Sequence, residues 1–284
     1  MPDQLKIALC VEPSARILIV DATFVAERAR VQHQLTGAMV KYNAQAMIAS
    51  VLLSNQIKGE ERMSVQIQTE DPFIAFTCDV TSQGQIRARI RPIHKNLFSP
   101  LTGVLMTMKH NAQRELYRGV TEITEQSIAE ALQLHLSNSS QIPAFLHIDV
   151  DSDHSKVHRA LGVLVEHLPL GAITSEADKA HFEEVYSGLS QQSIKTLSEQ
   201  LDQQQLCGKT IEVVNETPLV WWCTCSQQRT EQILCSLGVS ELHSLIEEQG
   251  GAQVTCRFCN EEYNVSAKRL EQLIKIIESD ETGT

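Results

Sequence analysis

The chain has 284 residues, of which 42% are hydrophobic and 21% are charged, and this composition excludes a wholly disordered protein. Its 24 basic residues against 35 acidic residues leave a formal net charge of −11, which argues against binding to nucleic acid. Aromatic residues make up only 5%, so a base-stacking surface is also disfavoured.

The N-terminal segment contains a short apolar stretch at residues 7–11 but no charged leader followed by a long apolar segment, so it is not a secretory signal. No apolar run in the chain reaches the roughly 18 residues of a membrane-spanning helix. We therefore expect no membrane partner and a cytoplasmic location. There the eight cysteines would be thiols or metal ligands rather than permanent disulfides.

Residues 41–57 predict a helix, because apolar side chains recur at the three- and four-residue spacing of one helix face. Lys58 and Gly59 follow and are expected to end it. The apolar face consists of Ala44, Met47, Ile48, Val51 and Leu52.

Alternating apolar and polar residues then predict half-buried strands across 62–121. Turns are expected at Asp71-Pro72 and at Ser82-Gln83-Gly84. Because the connections are too short for helical crossovers, we predict an antiparallel meander. Its strands are expected at 63–68, 73–80, 85–91, 102–108 and 114–121.

Residues 125–137 predict a second amphipathic helix, with Thr124 as its N-cap. His135 lies on the apolar face, where a hydrogen-bonded histidine at the edge of the core is favoured over a metal ligand. The other residues of that face are Ile128, Ala131, Leu132 and Leu136. Strands at 145–150 and 161–168 complete a predicted α+β domain over 1–171.

The composition changes after about residue 174. Residues 176–205 hold six acidic residues and six glutamines against two lysines. Thin apolar stripes remain at helical spacing, but isolated helices of this length are marginal in water. We interpret 172–217 as a metastable helical linker, with an ordinary pair of surface helices as the alternative. The stripes are Phe182, Val185 and Leu189, followed by Ile194, Leu197 and Leu201.

Four cysteines near the C-terminus carry the clearest chemical signal. Cys223 and Cys225 form a Cys-x-Cys pair, and Cys256 and Cys259 form a Cys-x-x-Cys pair after a spacer of 30 residues. Four thiolates in two close pairs supply the soft, tetrahedral ligand set that zinc prefers. The sequence therefore predicts one zinc ion in a small module at 218–284, which needs the metal for stability.

The other cysteines have no such spacing and are expected to be free, buried thiols that act as small hydrophobic residues. Trp221 and Trp222 adjoin the first cysteine pair and are expected to pack on the zinc module. The four remaining cysteines are Cys10, Cys78, Cys207 and Cys235.

The cysteine pattern resembles the signature of the 33-kilodalton heat-shock protein family, the redox-regulated holdase chaperones. The similarity extends over nearly the whole chain, and the stretches that carry it are 45–58, 63–90, 137–143, 242–246 and Tyr263. It implies a compact N-terminal domain that binds clients, a metastable linker and a C-terminal zinc module that acts as the redox switch.

The resemblance further implies that the reduced, zinc-bound monomer is inactive. Oxidation would then form a Cys223–Cys225 bond and a Cys256–Cys259 bond, release the zinc and yield a homodimer. This dimer would hold unfolded client proteins without ATP. The residues by themselves leave all three pairings of the four cysteines open.

Two alternatives remain from the residues alone. The first is a constitutive zinc-bearing adaptor, for which the acidic charge disfavours a nucleic-acid partner. The second is a dithiol oxidoreductase, but such enzymes place their Cys-x-x-Cys at a helix start in a βαβ setting. No parallel-sheet pattern surrounds Cys256 and Cys259.

Candidates for other chemistry are weaker still. Neither a glycine-rich nucleotide motif nor a serine nucleophile elbow occurs. His147, His154 and His158 lie among aspartates, and we interpret this stretch as a solvated acidic turn rather than a second metal site. We predict no catalytic residues and no enzyme activity.

Overall fold

The computed structural model describes residues 2–70, 74–91, 101–139, 143–168 and 176–282. The expected Asp71-Pro72 turn and the expected boundary at 171/172 lie outside these residues. The chain forms two compact units, Met1–Trp222 and Cys223–Thr284. Both contain helices and strands, so the α+β class is confirmed, whereas the division at 1–171, 172–217 and 218–284 stays a prediction.

The first unit places two sheets around a central helix. Within the described residues no helix is both long and apolar enough to cross a membrane. In chain order the elements of the first unit are β1 (Gln4–Cys10), β2 (Ala15–Asp21), α1 (Thr23–Gln32), α2 (Ala38–Leu53), β3 (Arg62–Thr69), β4 (Ala75–Thr81), β5 (Gln85–Arg91), β6 (Leu101–His110), β7 (Glu115–Gln126), α3 (Ile128–Ser139), β8 (Ala144–Ser152), β9 (Val157–His167), α4 (Glu176–Tyr186), α5 (Ile194–Asp202), β10 (Gln205–Leu206), β11 (Lys209–Thr210), β12 (Glu212–Pro218) and β13 (Val220–Trp221).

The first sheet has the strand order β12–β1–β2–β9–β8, and all of its pairs are antiparallel. Periodicity predicts no element before residue 41, yet β1 and β2 lie at the centre of this sheet. The side chains of β2 are largely buried on both faces, and β1 ends in an unbroken apolar run at residues 7–10, so neither sequence shows the alternation that marks a half-buried strand.

The second sheet has the order β13–β5–β4–β3–β6–β7, and it corrects the predicted meander. The antiparallel pairing within 62–121 is confirmed, but β6 pairs with β3 rather than with β5. Nine residues separate β5 from β6. Such a connection can span up to about 30 Å, so it can pass two strands about 4.8 Å apart and reach the free edge of β3.

Helix α2 lies between the two sheets and contacts strands of both. It begins three residues before the predicted helix and ends at Leu53, where a single 3₁₀ turn follows. The predicted apolar face is fully buried, but so is most of the rest of the helix. A helix that is covered on all sides in this way belongs to the core rather than to the surface.

Gly162 on β9 passes directly beneath α2. A Cβ added there would lie 2.2 Å from Cγ2 of Ile48, whose β-branched side chain has one preferred rotamer in a helix. We expect Gly162→Ala to lower the free energy of unfolding by about 1–3 kcal/mol in a denaturant titration. Gly188→Ala, which meets open space, is the control.

Gly162→Ala should cost less in an Ile48→Ala background than in the unchanged chain, because the truncation removes the clashing methyl group, although Ile48→Ala by itself leaves a cavity. An unchanged midpoint for Gly162→Ala alone would contradict the close approach of β9 and α2.

Helix α3 corrects the predicted N-cap. Strand β7 continues through Thr124, and the helix begins after Ser127. The Glu130 N–H donates to Ser127 Oγ at 3.2 Å, and the Ser127 N–H donates to Glu130 Oε2 at 2.7 Å. This reciprocal capping box satisfies two backbone donors at once, which a lone threonine cannot do. The predicted apolar face of α3 is confirmed as buried.

His135 on α3 is a hydrogen-bonded core residue, as predicted. Its Nδ1 lies 2.8 Å from Thr121 Oγ1, and its Nε2 lies 3.2 Å from Thr107 Oγ1. Burial lowers the pKa of the ring. The two hydroxyls occupy both ring nitrogens, so the residue has no nitrogen left for a metal.

The segment after β9 packs as an ordered layer on the outer face of the first sheet. Phe182 of α4 is fully buried, and its ring centroid lies 5.1 Å from that of His167 and 5.2 Å from that of Tyr186. The buried linker side chains of this layer are Phe182, Tyr186, Leu189, Leu197, Leu206 and Ile211. The sheet residues beneath them are Ala8, Cys10, Ile17, Ile19, Leu161, Val163 and Val165.

Residues between this layer and the second unit also belong to the first unit. Leu219 is buried in its main core, and Trp221 packs against that core. The predicted packing of Trp221 on the zinc module is therefore wrong, since its strand β13 pairs with β5. Trp222 is half exposed.

The second unit is small. Its elements are α6 (Gln227–Cys235), α7 (Val239–Gln249), β14 (Gly251–Thr255), β15 (Glu262–Ser266) and α8 (Ala267–Thr282). Its buried apolar cluster consists of Leu234, Leu242, Val265, Leu270, Leu273 and Ile274. A core of this size offers little stability of its own.

Candidate metal centre

The turn of the β14–β15 hairpin carries Cys256 and Cys259. The Cys256 N–H donates to the Glu261 carbonyl at 2.9 Å, and the Asn260 N–H donates to the Cys256 carbonyl at 2.9 Å. Asn260 has a φ of 58°, a left-handed conformation that asparagine tolerates better than most residues. This tight turn directs both thiols to one side.

The second cysteine pair lies between β13 and α6. Ser226 caps α6, since its Oγ accepts the Arg229 N–H at 3.1 Å. The Arg229 side chain donates in turn to Oγ1 of Thr224, the middle residue of the pair, at 3.0 Å. The start of the helix therefore fixes the backbone that presents Cys223 and Cys225.

The four predicted ligands come together. Their Sγ atoms all lie within 4.8 Å of one another, with 3.6 Å between Cys223 and Cys256 and 3.2 Å between Cys225 and Cys259. All four are free thiols. Four thiolates at a zinc–sulfur distance of about 2.3 Å form a tetrahedron with edges of about 3.8 Å. The donor set therefore fits zinc in both chemistry and size.

Hydrogen-bond donors surround the sulfur atoms. The Tyr263 hydroxyl donates to Cys225 Sγ at 3.1 Å, and this bond raises the pKa of the tyrosine. Backbone N–H groups of Phe258 and Cys259 donate to Cys256. Donors of this kind orient thiolate ligands and offset their charge.

The thiols differ in how readily they lose a proton. Burial opposes ionisation of Cys256, but the backbone donors of Cys259 and Phe258 outweigh it and lower its pKa to about 7. Burial raises the pKa of Cys223 and of Cys259. Cys256 is therefore the most easily ionised of these three thiols.

The remaining cysteines lie outside the cluster. Cys10 and Cys78 are buried as predicted, whereas Cys207 and Cys235 are only partly buried. Within the described residues no other group of three potential ligands comes together. The acidic turn holds only an exposed pair, in which His158 Nε2 lies 3.0 Å from Asp153 Oδ2.

The setting of the Cys-x-x-Cys pair argues against dithiol oxidoreductase chemistry. Cys256 and Cys259 lie in the turn between two antiparallel strands, not at the start of a helix that follows a parallel strand. Neither thiol therefore lies at the start of a helix of its own, where the helix dipole would favour the thiolate.

Sequence analysis missed the contact between Tyr263 and the cluster. The signal that could have found it is the alternation along β15, where Tyr263 and the buried Val265 share one face. A tyrosine on the inner face of a small hairpin needs a hydrogen-bond partner, and the thiols are the nearest acceptors.

Known proteins resemble this chain over nearly its whole length. The family model described as Hsp33 protein matches residues 3–266. A 33 kDa chaperonin of Enterococcus faecalis is 26% identical over 289 residues, which cover 96% of each chain. That of Trichodesmium erythraeum is 28% identical and covers 99% of this chain and 96% of its own.

A solved structure gives the same result for the fold. The crystal structure of a 33 kDa chaperonin from Thermotoga maritima matches with a TM-score of 0.83 at 22% identity. The match covers 98% of this chain and 100% of the other.

Proposed function

The chain belongs to the Hsp33 protein family, and we propose that it is a holdase chaperone without need of ATP, activated by oxidation of its four clustered cysteines. Its clients are unfolded proteins, and its role is protection under oxidative stress. This role is not enzymatic. The cytoplasm, which keeps thiols reduced, is the compartment in which such a switch has a resting state.

The observation that carries the proposal is the cluster of Cys223, Cys225, Cys256 and Cys259. Zinc bound there supplies about 10–16 kcal/mol of apparent binding free energy. The stability of whole domains is only about 5–15 kcal/mol. The unit that holds the cluster has a slight core, so its fold depends on the four ligands.

Oxidation removes those ligands. Two thiolates give up two electrons as they form one S–S bond, and hydrogen peroxide takes these electrons with two protons from solvent to become two water molecules. With the pairing implied by the family, Cys223–Cys225 and Cys256–Cys259, two peroxides consume all four thiolates. The unit Cys223–Thr284 then unfolds.

The linker passes this change to the first domain. In the reduced state the linker residues from 182 to 211 cover an apolar face of the sheet, where Ile17, Ile19 and Val163 are almost fully buried. Unfolding of the module destabilises the linker that precedes it, and its release bares that face for clients. We assign client binding to 1–171 and homodimer formation to the oxidised form.

Peroxide treatment at mildly elevated temperature tests this proposal. We expect about one zinc ion per chain to be released, as measured with a colorimetric chelator, together with suppression of the aggregation of a denatured client. Peptide mapping then distinguishes the proposed pairing from Cys223–Cys256 and Cys225–Cys259, the pairs in closest contact. Equal suppression by the reduced, zinc-loaded protein would refute the switch.

A further inference from the structure

Strand β8 is one of the two edge strands of the first sheet, and its two faces have different roles. Leu146, Ile148 and Val150 point into the main core. The alternate positions Phe145, His147 and Asp149 share the opposite face of the strand. That face is the one on which the linker packs.

Two of these residues contact different parts of the linker. The Phe145 ring lies 5.6 Å from the ring of Phe182 on α4. His147, between them on the strand, is buried, and its Nε2 has no hydrogen-bond partner within the described residues. Asp149 Oδ2 accepts the N–H of Ile194, the first residue of α5, at 3.1 Å.

The hydrogen bond between Asp149 and the start of α5 is stronger than one between neutral groups. The first N–H groups of a helix have no partner within the helix, and the helix dipole favours a negative charge at this end. Ser193 already accepts the Thr196 N–H, so Asp149 satisfies a second donor of the same turn. A hydrogen bond to a charged group is roughly twice as strong as a neutral one.

A hydrogen bond also gives the linker a fixed register on the sheet, which apolar burial alone does not. Burial of Leu189 and Leu197 on the sheet favours docking but does not fix its register, since the hydrophobic effect has no direction. The hydrogen bond from the Ile194 N–H to Asp149 specifies one position of the start of α5.

We propose that Asp149 is a clasp that holds the linker in register on the first sheet and sets how readily it is released. The proposal rests on the proposed function, in which linker release bares the client surface. The clasp is a positioning device.

Hydrogen exchange of the reduced, zinc-loaded full-length protein tests the clasp. Asp149→Val removes the acceptor, and we expect the backbone amides of α5 to exchange about 10- to 100-fold faster. Asp149→Asn keeps an acceptor oxygen without the charge, so it should cause a smaller increase. Asp151→Val is the matched control, since Asp151 is an exposed carboxylate two residues along the same strand.

Zinc content and the client assay separate the two proposals. If exchange is faster, zinc content is unchanged and client protection needs less oxidant, the results support both the clasp and the proposed role of linker release. Faster exchange with unchanged zinc and no change in client protection supports the clasp but overturns the proposed role of linker release. Unchanged exchange in Asp149→Val overturns the clasp, whatever the client assay shows.

Discussion

The double variant Cys256→Ser, Cys259→Ser is expected to lack zinc and to lose the fold of the unit Cys223–Thr284 even under reducing conditions. Two thiolates remain, and they cannot form the four-coordinate site that structural zinc requires. The free energy lost is about 10 kcal/mol or more, which exceeds what the small apolar cluster around Leu242 and Leu270 can supply.

The variant is assayed by zinc content and by hydrogen exchange resolved along the chain. We expect fast exchange throughout 223–282 and retained protection of α2, because that helix lies in the core of the other unit. Cys235→Ser is the control, since Cys235 lies in the same unit but outside the cluster. It should keep its zinc and its fold.

The client assay on this variant also decides between the two proposed roles of the metal. The switch predicts that the reduced variant suppresses aggregation without any oxidant, because its linker has lost support. A constitutive zinc-bearing adaptor predicts that partner binding is lost with the zinc. A protected, folded C-terminal unit without zinc would contradict both.

Phe182→Ala is expected to release the linker without any change at the cysteines. Phe182 is fully buried between the rings of Phe145, His167 and Tyr186. Removing a buried phenylalanine side chain costs about 3–5 kcal/mol. Helices as short as α4 and α5 are marginal by themselves, so the loss falls directly on their docking.

Limited proteolysis and the client assay, both on reduced and zinc-loaded protein, measure the effect. We expect cleavage within 176–206 and client protection without peroxide, at full zinc content. Glu183→Ala, an exposed change on the same helix, should leave both unchanged. If Phe182→Ala keeps the linker protected from protease, the aromatic cluster does not determine docking.

The cysteine cluster could be predicted because the spacing of the cysteines along the sequence indicates a metal site. Cys-x-Cys and Cys-x-x-Cys each place two thiols on one short turn, and no long-range packing has to be known. The shell around them could not be anticipated in the same way. The bond from Tyr263 to Cys225 depends on the hairpin register, which the pattern of residue types leaves open.

Strands could be predicted where apolar and polar residues alternate, and they could not be predicted where that alternation is absent. Strand β5 was predicted at its observed limits, Gln85–Arg91, because its apolar and arginine residues alternate. Strands β1 and β2 lack that alternation. The pairing of β6 with β3 could not be predicted, because local sequence does not indicate which free strand edge a later strand joins.

The linker shows the limit of composition. Its stripes correctly mark Phe182, Leu189 and Leu197 as buried. Composition could not show that Phe145 and Asp149 of β8 contact this segment, because these residues lie far away from it in sequence. A segment rich in acidic residues and glutamine is thus ordered by its docking site.

The pairing of β12 with β1 has a consequence for reversibility. The part of the linker before β12 joins β9 to β12, and both are strands of the same sheet, so this part is a loop fixed at both ends once it is released. A tethered segment reaches an effective concentration on the order of millimolar at its own docking site. Every bound client therefore competes with the tethered linker for the same face of the sheet. Once the thiols are reduced again, this competition would release the client without ATP.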